Sequence, residues 1–68
     1  MDKRITEAFK DVWRLYDRYY ETDPADAARW DSLVKAAEEI NNQYKDLPVV
    51  FNFLLVIMGD IDRRAKTA

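Results

Sequence analysis

The sequence predicts an all-α domain, a three-helix bundle in up-down-up order. Two stretches repeat apolar residues at spacings of three and four, and a third run, from position 49 to 58, holds nine large apolar side chains in ten positions. Between them lie short polar segments, each next to one of only two prolines in a chain with a single glycine. A composition of 49% hydrophobic and 35% charged residues excludes disordered and low-complexity classes. No internal repeat and no linker is visible, so one domain is expected over residues 1–68.

The first helix is expected over about 2–21, where Ile5, Ala8, Phe9, Val12, Leu15, Tyr16 and Tyr19 form one apolar stripe. Trp13 and Tyr20 widen one edge of it. The opposite face is charged, and Asp11 with Arg14, Arg14 with Asp17, and Arg18 with Glu21 are spaced for (i, i+3) pairing.

A second helix is expected over about 24–44. Asp23 suits an N-cap, Pro24 suits the first helical position, and Asp26 places a carboxylate near the positive end of the new dipole. Its stripe reads Trp30, Leu33, Val34, Ala37, Ile40 and Tyr44, with Ala27 and Ala36 at the margins. Fraying is expected after Asn41-Asn42, and Tyr44-Lys45-Asp46-Leu47 makes a short connection. Leu47 precedes a proline and is biased towards an extended backbone, which marks the boundary. Short connections imply antiparallel neighbours.

The third helix, expected over about 48–66, carries the apolar run. Val49, Val50 and Phe51 also suit a strand, but no second strand candidate exists to pair with, and Ile57, Ile61 and Ala65 continue an i, i+4 stripe into the polar end. At 100° per residue Val50, Leu54, Ile57 and Ile61 share the core face, flanked by Phe53 and Met58. Asn52 interrupts the run and Gly59-Asp60 ends it, well short of the roughly 20 apolar residues of a membrane span. The run also lies in the C-terminal third rather than behind a basic N-terminal segment, so neither export nor insertion is expected and the location is read as cytoplasmic.

A helix that is apolar nearly all round is usually buried on more than one side. Here Phe51, Leu55, Val56 and Gly59 lie away from the core face. Sixty-eight residues build a core that supplies no more than ~3–5 kcal/mol, and with no Cys and no His neither a disulfide nor a histidine-bound metal can add to it. Association is the remaining route. Gly59 would cost ~1 kcal/mol relative to Ala inside a helix, which points to another backbone approaching closely there. These four residues are therefore the candidate interface, for a second copy in a homodimer or for a different protein.

Catalytic chemistry finds little footing. There is no Cys or His, Ser32 is the lone serine and is expected on the exposed side of the second helix without a partner, and one glycine cannot form a phosphate loop. A magnesium-dependent all-α nucleotide hydrolase is the enzymatic alternative. It needs Glu38, Glu39 and Asp60 in one cleft, with Asp62 nearby, and Glu38-Glu39-Ile40-Asn41-Asn42 lacks the Glu-x-x-Glu spacing that such enzymes use. No catalytic residue, cofactor or metal site is assigned.

A nucleic-acid-binding accessory protein is the second alternative. Lys3, Lys10, Arg14 and Arg18 share a sector of the first helix near Trp13, Tyr16, Tyr19 and Tyr20, but Glu7, Asp17 and Glu21 occupy the same side and the net charge is −2. The six tryptophans and tyrosines on the first two helices and at Tyr44 are read as core packing, with hydroxyls at the rim, rather than as a ligand pocket.

The segments Phe9 to Tyr19, Trp30-Asp31-Ser32-Leu33-Val34 and Phe53 through Arg64 resemble small uncharacterised helical proteins of bacterial phages and conjugative elements. That resemblance covers most of the chain and implies no chemistry. Together these readings point to a non-enzymatic protein-interaction or accessory module of a mobile element, self-associating, with neither nucleic acid nor membrane as its partner.

Overall fold

The computed structural model describes residues 2–67, with Met1 and Ala68 outside them. Three helices account for most of this stretch: α1 (Lys3–Tyr19), α2 (Ala27–Gln43) and α3 (Pro48–Thr67). No strand occurs among the described residues, so the β-prone run from Val49 is helical, with Pro48 at its first position.

Asp2 starts α1 by capping it, its carboxylate accepting from the Arg4 amide at 2.9 Å. The helix ends at Tyr19, two residues earlier than expected. Carbonyls in a last turn have no intrahelical donor. Here the buried Thr22 hydroxyl donates to the Tyr19 carbonyl at 2.7 Å, and the Arg29 guanidinium donates to that of Arg18.

The start of α2 also differs from expectation. Asp26, not Asp23, is the N-cap, and its side chain accepts from the Arg29 amide at 3.0 Å. Asp23 closes a turn instead. Its carboxylate takes the Ala25 amide at 2.8 Å and its carbonyl takes the Asp26 amide at 3.0 Å, the arrangement that Asp followed by Pro favours in a β-turn. The same carbonyl accepts the Trp30 indole N–H at 3.2 Å, which ties the turn to the first coil of α2. At the other end the Tyr44 amide donates to Ile40 at 3.1 Å, and the expected Tyr44-Lys45-Asp46-Leu47 connection leads into α3.

Cross-helix contacts give the directions. Arg4 meets Asp46, Phe9 meets Phe53 and Tyr16 meets Asp60, so residues of α1 find partners at a near-constant separation of 42 to 44. α1 and α3 therefore run parallel. Between α1 and α2 the separation shrinks, from 33 at Asp11–Tyr44 to 13 at Tyr19–Ser32, which makes that pair antiparallel.

The core is the expected one for α3: Val50, Leu54, Ile57 and Ile61 are all buried, and Ala65 extends the stripe. From α1 come Ala8, Val12, Leu15 and Tyr19, and from α2 Leu33 and Ala37, closed at one end by Tyr44. Fully burying an aliphatic side chain stabilises by ~1.5–3 kcal/mol, so these few residues carry most of what opposes chain entropy. Alanines at 8, 37 and 65 let the helices sit close. Val34 departs from expectation. It lies at the edge of the α2 stripe, about 100° from Leu33, and is exposed, because α2 packs mainly on α1 and only lightly on α3.

Candidate interaction surface

Two sets of polar contacts hold α1 against α3 and the connection that leads into it. Near the start of α1 the Arg4 guanidinium forks onto the Asp46 carboxylate at 2.6 and 2.8 Å, and it holds that carboxyl down at about 2. Towards the other end the Tyr16 hydroxyl donates to Asp60 at 2.5 Å, and Arg64 donates to the same carboxylate at 2.9 Å. Both hydrogen bonds keep Asp60 below the usual carboxylate range, and the one from Tyr16, with burial second, pushes the Tyr16 phenol up. Arg64 also lies over the Tyr20 ring at 4.1 Å, and Tyr16 meets Tyr20 edge-on. Phe9 against Phe53, with ring centroids 5.0 Å apart, fills the middle of the seam.

With that side of α3 engaged, the opposite side faces out. Phe51, Leu55, Val56 and Gly59 are all exposed, as the sequence led us to expect, and Leu55 and Val56 show 55% and 67% of their surface. Phe51, Leu55 and Gly59 form one i, i+4 row, while Val56 stands on the neighbouring row beside Asn52. Neither Leu55 nor Val56 is folded under α1. Apart from its chain neighbours and the adjoining backbone of its own helix, nothing comes within 4 Å of where a Cβ on Gly59 would sit, and no described residue has a positive φ. Within one copy, then, neither space nor backbone conformation requires glycine at this position.

The surface extends further than the four residues found from sequence. Val34 and Ala37 of α2 and Phe51, Leu55 and Met58 of α3 line a shallow groove of about 140 Å³, with Leu54 among its walls and Glu38 and Asn41 at its rim. Val34 is the addition. Its edge position on the α2 stripe was the available signal, and the light α2–α3 packing turns that edge into surface. Val49 is exposed as well. On the other flank Trp13 is 61% exposed and shares a second depression with Phe9 and Phe53, between Lys10 and Arg14. Trp13 is thus surface, not core.

Two further aromatic hydroxyls are engaged inside the bundle. Buried Tyr44 donates to Asp11 at 2.9 Å, and that hydrogen bond, with burial second, pushes its phenol up. Buried Tyr19 shares a hydrogen bond with Ser32 at 2.6 Å, so the lone serine does have a partner. Arg29 and Arg18 stack on the same Tyr19 ring.

The carboxylates that the enzymatic alternative requires lie on different sides of the bundle. Glu38 lies at the α2–α3 groove, Glu39 faces the α1 side near Arg18, and Asp60 is bonded to Tyr16 and Arg64. The three carboxylates that a magnesium hydrolase would need do not converge, and among the described residues no group of three or more acidic side chains is placed to hold a metal ion. Of the basic residues on α1, Arg14 lies 3.6 Å from Asp11, as its spacing suggested. Among the described residues no helix is long and apolar enough to cross a membrane. No family model, no curated protein and no solved structure matches this chain.

Proposed function

We propose that the protein is a non-enzymatic interaction module that self-associates through the outer face of α3. The observation that carries this reading is the exposure of Val49, Phe51, Leu55 and Val56 along one helix of a domain whose core is too small to leave apolar surface unused. Covering that face with a second copy would supply the burial that a 68-residue chain lacks. Its role as an accessory protein of a bacterial mobile element rests on the resemblance of the sequence to such proteins.

The test is the solution mass by sedimentation across a hundredfold dilution, for the parent chain and for Leu55→Asp. The expected result is a dimer that dissociates on dilution in the parent and a monomer in the variant. A parent that stays monomeric throughout would remove self-association and leave the face for a different protein.

A further inference from the structure

We propose that the two copies pair antiparallel along α3, about a two-fold axis at Leu55, with Phe51 of each copy seated on Gly59 of the other. This rests on the self-association reading and specifies its geometry. A two-fold contact must be self-complementary, each residue meeting its mirror position. Phe51 and Gly59 lie four residues to either side of Leu55 on one row, so an axis at Leu55 sets the largest side chain of the row against the one position with none. It also gives Gly59 a role that one copy does not supply, since the space above it is open. That space is a seat for an aromatic ring.

Charge favours the same direction. Parallel pairing in register would set Asp62 beside Asp62 and Arg63 beside Arg63. Antiparallel pairing carries Asp62 to the partner's Pro48, at the positive end of its α3 dipole and one turn from its Lys45. The dipoles of the two helices then oppose each other. Stable interfaces take about 800 Å² from each partner, about a sixth of the 4870 Å² that this chain exposes. A face running the ~30 Å of a 20-residue helix, with Val34 and Val56 at its flanks, is where such an area is available.

The chain has no cysteine, so single-cysteine variants report on this geometry cleanly. Phe51→Cys and Gly59→Cys, both at exposed positions, are prepared separately, mixed and oxidised. The mixed dimer places the two cysteines together and keeps one native Phe51–Gly59 contact. We expect the mixture to give cross-linked dimer at several times the yield of either variant alone. Self-linking of each variant at equal or higher yield would overturn the antiparallel register in favour of a parallel one.

A second readout leaves the row untouched. A spin label on Asp62→Cys of the dimeric protein should report backbones ~21 Å apart along the helix axis, fourteen residues of rise, whereas parallel pairing brings them to ~8–10 Å. The short distance, or a dimer without mixed cross-links, overturns the register while leaving self-association standing. A parent that is monomeric by sedimentation overturns both.

Discussion

The two seams that α3 makes with its neighbours are built differently. Against α1 it is held by directional contacts, Arg4 on Asp46 in the connection just before it and Tyr16 with Arg64 on Asp60, and by an aromatic pair between them. Against α2 it makes an open apolar groove in which Val34, Phe51 and Leu55 remain exposed. Apolar contact is non-directional, so polar clamps at fixed separations are what set the register of two parallel helices. The groove has no such commitment and can accept another surface.

The largest effect should come from removing what both seams share. Leu54 is buried in the core and also lines the groove. Leu54→Ala should cost ~2–5 kcal/mol, against a total of ~3–5 kcal/mol for a domain of this size. Circular dichroism during urea titration should find the variant largely unfolded without denaturant. A cooperative transition near the parent midpoint would mean that the two seams are independent.

Acid should loosen the α1 seam first. Arg4 lowers the Asp46 carboxyl from the ordinary 3.8 to about 2, so the folded state binds this proton less readily than the unfolded chain does. The stabilisation is complete above about pH 4 and is lost as pH falls through about 2, with Asp60 acting in the same direction. In Arg4→Gln the urea midpoint should vary less with pH between 4 and 2 than it does in the parent. Equal slopes would show that this ion pair contributes nothing across that window.

This contrast also explains which parts of the molecule were legible in the sequence. Val50, Leu54, Ile57 and Ile61 announce themselves because a buried face repeats with the helical period, and the outward row of Phe51, Leu55 and Gly59 follows by subtraction. The clamps could not be read that way. Tyr16 and Asp60 are 44 residues apart, and neither helix alone states which residue of the other it will meet. Edge positions are ambiguous for the same reason. Val34 and Trp13 lie at stripe margins, and whether a margin is covered depends on where the neighbouring helix sits.

The cap of α2 went astray locally. Asp23 and Asp26 are both competent caps, and the indole of Trp30 bonding back to the Asp23 carbonyl accompanies the turn that hands the role to Asp26.

The smallest expected effect on the isolated fold, and the largest on association, belongs to the exposed row. Leu55→Asp changes a solvated position and should alter the stability of a single copy by less than ~0.5 kcal/mol. Binding that requires the folded state makes thermal stability depend on protein concentration. The most direct measurement is therefore the unfolding midpoint of the parent and of Leu55→Asp over a wide concentration range. If the outer face of α3 pairs copies, the parent midpoint rises with concentration while that of the variant stays flat and meets the parent at high dilution. A parent midpoint independent of concentration, equal to that of the variant throughout, would contradict it.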